Sequence, residues 1–350
     1  TSADGGSELA AQDLLERCLR VLRTALDSRP QLAPPTAVAF SCFWHSLVGL
    51  NAAGEAVTPA YLWADTRSHA QASSLRQILD EQSIHARTGC HFHTSYLPAR
   101  LLWLRHSHRH LWDSVRHWVS FPDYAYLQLF GELISSYSMA SGSGLFDQNR
   151  LTWDAEVCEA TGVKIRLLPK LVDTSHACRI LRETYGSYLP ELADIPWFVA
   201  AGDGACSNLG AGCTEASRLA LMVGTSGAMR CIVGRPHLEP PPGLWCYRLD
   251  SKRFVLGGAL SNGGNAFAWL QESLRLPPVE DLEALLATMD ADSHGLTILP
   301  FLTGERSPGW ASDATGTVLG LRLHTTPEQI VRAFLEAIAL RFVSVYERLH

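Results

Sequence analysis

Apolar residues recur at three- and four-residue intervals between Glu8 and Leu26, with Leu14, Leu15, Cys18 and Leu22 in the series, a period that predicts an amphipathic helix. The pattern then changes. The stretch TAVAFSCFWHSLVGLN is rich in β-branched and aromatic side chains, and AAGE turns it towards AVTPAYLW, which predicts a hairpin or adjacent strands. Helical spacing returns over residues 69–83 and 97–118, and SFPDYAYLQLFG opens another helix behind Pro122. Further on, PWFVAAGDGACSNLGAG reads as a strand, a tight loop and a helix of small residues. RLALMVGTSGAMRCIVG reads as two strands pivoting on Gly-Thr-Ser-Gly, and RFVLGGALSNGGNAFAWLQESL as a strand running into a glycine-rich helix start. The plainest helix is TTPEQIVRAFLEAIALRFVSVYERL, where Thr326 can cap and Pro327 suits the first turn. Strands alternating with helices predict an α/β protein, and no short-period repeat interrupts the alternation.

Composition narrows the class without changing that picture. A chain of 350 residues has room for two or three domains, and 47% hydrophobic against 18% charged residues is a globular balance. With 29 basic and 35 acidic residues the net charge is −6, so no broad nucleic-acid footprint is expected. No apolar run has the length of a membrane span, and TSADGGSELAAQDLLER lacks the basic-then-apolar layout of a signal peptide. Nine scattered cysteines suit reduced thiols in a cytoplasm better than a disulfide framework.

Several positions carry chemistry. Gly224, Thr225, Ser226 and Gly227 place small residues and two hydroxyls on a reversing loop, which suits phosphate oxygens, although an ordinary hairpin turn uses the same residues. Gly263 and Gly264 would let a helix N-terminus approach a ligand, where its amides and dipole favour an anion. There is no P-loop motif, and the match to a dinucleotide fingerprint is weak, so a nucleotide site here must use backbone and hydroxyls. Asp203, between two glycines at the end of an apolar run, could accept the proton of an attacking hydroxyl or merely turn a corner. Trp44 and His45 interrupt a strand-like run, and Trp63, Asp65 and Arg67 follow another; aromatic faces beside hydrogen-bonding groups suit a polyol or sugar acid. A core histidine and a structural salt bridge would look the same. Cys90, His91 and His93, followed by His106, His108 and His110, could suggest zinc, but alternate residues of a helix diverge, so the RHSHRH run is read as a solvated face.

Taken in order, FWHSLVG, LWADTRS, SFPDYAYLQLFGELISSYSMASGSGLFD, GDGACSNLGAG, VGTSGAMR, LSNGGNAFAWL and LPFLTGERSPGWASDATGTVLGLRL followed by EQIVRAFLEAIALR resemble the FGGY carbohydrate kinases, with the greatest likeness to the gluconate kinase branch. The segment from Gly316 to Glu336 nearly fits that family's C-terminal signature, departing at Phe334. The resemblance implies an actin-like ATPase, ribonuclease H-like fold of two domains around a cleft, here residues 1–213 on the sugar side and 214–350 on the nucleotide side. It implies ATP with Mg²⁺ and a small-molecule sugar substrate, in the cytoplasm, with no nucleic acid or membrane partner and with a homodimer allowed. It maps Asp203 to the catalytic base. Thr225 with its glycine neighbours maps to the loop holding the phosphates, and Gly264 to a glycine near the ADP portion. Trp44, His45, Trp63 and Ser95 map to substrate-side positions, while Asp65 and Arg67 share their motif and either touch the sugar or brace the loop. Nothing like the family's first phosphate-loop strand precedes Glu8, and the chain stops at His350 before an adenosine-pocket segment, so the expectation is a kinase lacking both termini.

The expected reaction is phosphorylation of gluconate to 6-phosphogluconate, with Arg67 or Arg100 as candidate partners of the sugar carboxylate. The alternatives are a xylulose or other ketose kinase, a non-catalytic sugar-binding protein lacking a complete ATP site, and an actin-like scaffold.

Overall fold

The computed structural model describes residue 2, residues 4–28 and residues 33–350. The chain divides into two units. The first comprises Thr1–Gly212, Val233–Glu239 and Cys246–Val255, and the second Cys213–Ile232, Pro240–Trp245 and Leu256–His350.

In the first unit, the strand Trp197–Gly202 lies between Ala177–Cys178, which it pairs antiparallel, and Val38–Cys42, which it pairs in parallel. The parallel register sets Trp197 opposite Val38 and Gly202 opposite Cys42, with a bulge between Phe198 and Ala201. Both strands therefore finish side by side, at the end where ligands gather in parallel sheets. The core is built mainly around the helix Leu97–Ser107: Leu101 and Leu104 are inaccessible to solvent and pack with Leu47, Leu75, Ile84, Phe92 and Val157.

The first helix runs from Ala11 to Asp27, three residues later than its apolar pattern begins. Glu8–Leu9 instead pairs antiparallel with Ala60–Tyr61. The run from Thr36 to Asn51 is interrupted between Cys42 and Leu47, because His45 adopts a left-handed φ of 66°. Its second part, Val48–Leu50, pairs with His117–Val119, and antiparallel bridges from Leu47 to Tyr61 and from Leu50 to Ala56, with the Val57 amide donating to the Gly49 carbonyl at 2.9 Å, join it to the segment that follows the AAGE turn. The helical stretch expected over 69–83 is two helices, His69–Ile78 and Glu81–Thr88, the second capped by Asp80 accepting from the Gln82 amide. Residues 97–118 hold Leu97–Ser107, Arg109–Ser114 and the start of a strand. The helix Phe121–Phe130 starts as its sequence dictates, with a capping box between Ser120 and Asp123 and Pro122 in its first turn.

In the second unit, Ala220–Val223 pairs antiparallel with the first half of the strand Gly227–Gly234, with Val223 opposite Gly227 and Ala220 opposite Arg230. Thr297–Leu299 pairs antiparallel with Thr317–Leu319. The closing helix, Pro327–Leu349, is capped by Thr326 and Gln329 reciprocally. It packs on the hairpin at a place that admits only glycine: a Cβ on Gly227 would lie 2.4 Å from Phe342 Cζ. Among the described residues, no helix is long and apolar enough to cross a membrane, and none of the nine cysteines forms a disulfide.

Candidate active site

Asp203 is the first residue of the helix Asp203–Gly210, which follows the strand Trp197–Gly202 directly. The tight loop expected between them is absent, because Gly202, extended at φ −65° and ψ 140°, already serves as the N-cap. Asp203 is exposed, and its Oδ1 accepts from the Gly204 amide at 2.7 Å. A carboxylate at a helix N-terminus is favoured in its charged, proton-accepting form by the dipole. Burial, with the Asp203 charge beside it, pushes the neighbouring Cys42 thiol far above its ordinary range.

Trp44 is buried against the strand end that carries Asp203. A Cβ on Gly202 would lie 1.8 Å from Trp44 Cε2, and one on Gly142 would lie 2.5 Å from its Cδ1. Trp44 Nε1 donates to the Ser138 carbonyl at 2.9 Å, and the Gly202 amide donates to Ser138 Oγ at 3.1 Å. The glycine before the acid is thus explained by the indole ring that lies on it. His45 Nδ1 lies 2.5 Å from the Gly142 carbonyl. A carbonyl only accepts, so Nδ1 carries a proton. Its ring meets Tyr96 and Tyr247 edge-on at centroid distances of 5.0 and 5.6 Å, and those two hydroxyls are 2.7 Å apart.

Trp63 is exposed, with 47% of its surface accessible. The two charged residues after it are turned inwards. Asp65 is 1% exposed; it accepts from the Ser7 amide at 3.1 Å and pairs with Arg67 at 2.5 Å. Arg67 also reaches Glu8 at 2.7 Å, and its guanidinium lies 4.8 Å from the Trp103 ring centre. Of the two roles left open for this pair, bracing the loop is the one its contacts describe. Ser95 is buried, its hydroxyl 3.1 Å from His93 Nδ1.

Arg100 has 0% exposure and donates to three carbonyls, those of His45 at 2.9 Å, Leu62 at 2.9 Å and Thr94 at 3.1 Å. Each acceptor is, or immediately precedes, a candidate substrate contact: His45, Trp63 and Ser95. Burial pulls the Arg100 guanidinium down from 12.5 to about 10. Neither Arg67 nor Arg100 is therefore placed as the carboxylate partner expected of it, since one charge is engaged by acids and the other is sealed among carbonyls. Sequence reasoning overlooked Arg100 as a framework residue, along with Tyr96 and Tyr247. An arginine in an apolar helix was its one visible signal.

The hydroxyl-bearing turn of the second unit is built from Gly224, Thr225 and Ser226, and Gly224 and Thr225 are exposed. The Gly224 amide donates to the Ser226 carbonyl at 2.9 Å. The Gly224 and Thr225 carbonyls accept from the Gly264 and Asn265 amides at 2.7 and 3.1 Å, while the Gly263 amide donates to Asn265 Oδ1 at 2.8 Å. The first amides of the helix Gly264–Ser273 are therefore spent on the turn, which corrects the expectation that they stand open to an anion. Gly263 and Gly264 are needed for this docking: a Cβ on either would lie 2.9 or 2.8 Å from backbone atoms of the turn. Gly224 differs. A Cβ there would meet nothing within 4 Å, and its φ lies outside the left-handed region, so neither packing nor backbone geometry explains the glycine. The space over that turn suits a phosphate, which takes hydrogen bonds from amides and hydroxyls.

The histidines and cysteine weighed for zinc are dispersed. Cys90 is buried with its Sγ 3.5 Å from the Ser141 carbonyl, and His91 stacks on His85. Among the described residues, the grouping with metal-ligand spacing is a different one, Glu132, His176 and Cys178.

Residues 1–210 match the model of the N-terminal domain of the FGGY family of carbohydrate kinases, and residues 219–350 match that of its C-terminal domain. Gluconokinase of Bacillus subtilis (strain 168) is 28% identical over 327 residues, which is 88% of this chain and 62% of that enzyme. Crystal structures of a gluconate kinase and of a ligand-bound xylulose kinase, both from Lactobacillus acidophilus, each superpose with a TM-score of 0.92 at 27% identity. Each match covers 100% of this chain and 71% of the other. The fold is the two-domain, actin-like ATPase type expected from the sequence.

Proposed function

The chain belongs to the FGGY family of carbohydrate kinases, and from that premise we propose that it serves ATP-dependent phosphorylation of a primary hydroxyl, with gluconate as the acceptor and 6-phosphogluconate as the product. The observation that supports the reading best is the parallel pairing of Val38–Cys42 with Trp197–Gly202. It brings Trp44, His45 and Asp203 to the same end of the sheet, with the indole ring against the residue before the acid.

In this reading Asp203 accepts the proton of the attacking hydroxyl. His45 bonds a neighbouring sugar hydroxyl, and Trp63 offers an aromatic face to the carbon skeleton. Ser95 contributes a hydroxyl, while Asp65 and Arg67 brace the loop that follows Trp63. On the nucleotide side Gly224, Thr225, Ser226 and Gly227 form the phosphate-binding turn, and Gly264 supports it by permitting the helix to dock. The donors of that turn, amides and hydroxyls, suit phosphate oxygens. Asp203, in the first unit, is an exposed carboxylate, an oxygen ligand of the kind Mg²⁺ takes. Mg²⁺ bound with ATP would neutralise phosphate charge during transfer. The expected setting is the cytoplasm, with residues 1–213 and 214–350 as the sugar and nucleotide domains.

One observation favours a second acceptor. Arg67 and Arg100, the two arginines considered for the sugar carboxylate, are both engaged by the chain, which suits a neutral ketose such as xylulose. Initial rates with gluconate, xylulose and glycerol decide between them. The mechanism is tested by Asp203→Asn in the full-length protein. Sugar binding by calorimetry is expected to persist while turnover falls by roughly 10²-fold or more, the scale of a lost general base. Unimpaired turnover would refute the assignment.

A further inference from the structure

The chain carries a second constellation, away from every residue assigned above. His176 and Cys178 stand two positions apart where the short strand Ala177–Cys178 begins, a spacing that sends side chains of an extended chain to one face. Glu132 follows Gly131, whose left-handed φ of 80° ends the helix Phe121–Phe130 and turns the chain back. The His176, Cys178 and Glu132 ligand atoms all lie within 4.8 Å of one another, and His176 Nε2 is 3.8 Å from Glu132 Oε2. Nε2 is shielded from solvent and makes no hydrogen bond. A shielded imidazole nitrogen, facing a carboxylate and a thiol without bonding to either, lacks a partner that its surroundings are equipped to supply.

We propose that Glu132, His176 and Cys178 bind a thiophilic divalent cation, with Zn²⁺ as the ion that fits. The donor set is one imidazole, one thiolate and one carboxylate, the mixture zinc takes in tetrahedral sites with the fourth position left to water. Zinc–ligand bonds of about 2.0 to 2.3 Å set neighbouring ligand atoms roughly 3.3 to 3.6 Å apart. The observed spacings need a contraction of about an ångström, and Glu132, with 46% of its side chain accessible, can make it by rotation. A hard cation such as Mg²⁺ would not choose this set, because it favours oxygen ligands throughout.

Access and consequence follow from burial. Glu132 and His176 reach solvent while Cys178 is buried, so the ion enters from the surface and the thiol closes the site from below. Binding then exchanges the S–H proton for a metal–sulfur bond and releases that proton to solvent. Cys178 pairs with Trp197, the first residue of the strand whose far end precedes Asp203. The strand interior separates the two by about 16 Å, so the cation acts as a clamp between an edge strand and a helix end rather than as a reactant.

Cobalt substitution tests this without reference to activity. The full-length protein, free of any histidine tag and stripped with chelator, is titrated with Co²⁺ and then with Zn²⁺. One equivalent of Co²⁺ should produce tetrahedral visible bands with a thiolate-to-cobalt charge-transfer band, and Zn²⁺ should abolish both. Cys178→Ser should lose the charge-transfer band, and Glu132→Gln, a surface change, should weaken binding at least tenfold. A folded wild type that gives no such band overturns the proposal, as does a band that survives Cys178→Ser. If Cys178→Ser does not fold, unchanged affinity in Glu132→Gln overturns it.

Discussion

Replacing Arg100 should loosen three substrate-side segments at once. Its guanidinium joins carbonyls that lie 55, 38 and 6 residues away in sequence, at His45, Leu62 and Thr94. Hydrogen bonds to a charged group contribute about 1.5–3 kcal/mol each, so three are worth roughly 5–9 kcal/mol before desolvation is counted. Desolvation opposes this, and the fall of the guanidinium from 12.5 to about 10 corresponds to about 3 kcal/mol. Arg100→Met, which removes the charge and strands the carbonyls, is therefore expected to destabilise by about 2–5 kcal/mol, in the range measured for breaking a buried charged network. Arg100→Lys keeps the charge but not the planar fork that spans separate acceptors, and should lose about 1–2 kcal/mol.

Urea titration gives the stability change, and calorimetry with gluconate or xylulose gives the sugar affinity of whatever remains folded. Because Arg100 holds the backbone at His45, Leu62 and Thr94, Arg100→Lys should raise the sugar KM about tenfold, as a displaced binding contact does. The KM for ATP should stay within twofold of wild type. A merely structural defect would lower the active fraction and leave both KM values unchanged. Wild-type sugar affinity in folded Arg100→Lys would refute the view that this side chain sets the geometry of the sugar side.

Two further perturbations separate packing from binding and charge from burial. Gly224→Ala adds a methyl where nothing lies within 4 Å, so stability should change by less than about 0.5 kcal/mol, while the KM for ATP rises if phosphate approaches that turn. Gly264→Ala instead drives a Cβ to 2.8 Å from the Gly224 carbonyl and should cost about 1–3 kcal/mol of stability. Equal thermal shifts in the two variants would contradict this division. Asp123 is buried at the start of its helix, and burial raises its carboxyl from 3.8 to about 6. Between those values the folded state holds more protons than the unfolded state, so stability falls as pH rises, by up to about 3 kcal/mol in all. Asp123→Asn can still accept from the Ser120 amide and should therefore gain on wild type between pH 4 and 7; a constant difference in urea midpoint across that range would exclude the effect.

The sequence was most legible where local chemistry decides the outcome. Thr326 with Gln329 and Ser120 with Asp123 start helices wherever they occur, and Gly224-Thr225-Ser226 between two apolar runs reverses the chain without help from elsewhere. It was less legible where one residue redirects a run. His45, held at positive φ with Nδ1 bound to Gly142, splits a stretch whose composition reads as continuous strand. The stretch from 69 to 83 keeps helical spacing across a break that Asp80 imposes by capping a new helix.

The candidate site illustrates the remaining distance. Glycine on either side of Asp203 was visible, and the acid between them read equally as a proton acceptor or as a corner. Gly202 is occupied by Trp44, which lies 158 positions earlier and meets it only because two strands pair in parallel. The same holds at Gly264, whose missing side chain makes room for protein backbone, whereas Gly224 keeps space open. Arg100 shows the converse case, since a cation expected to meet a sugar carboxylate is taken up by three carbonyls of the chain. In each instance the residue type announced that something must come close. Only the pairing of distant strands determines whether that neighbour is the chain itself or a ligand, and a site must be read from the glycines and charges that the chain leaves unused.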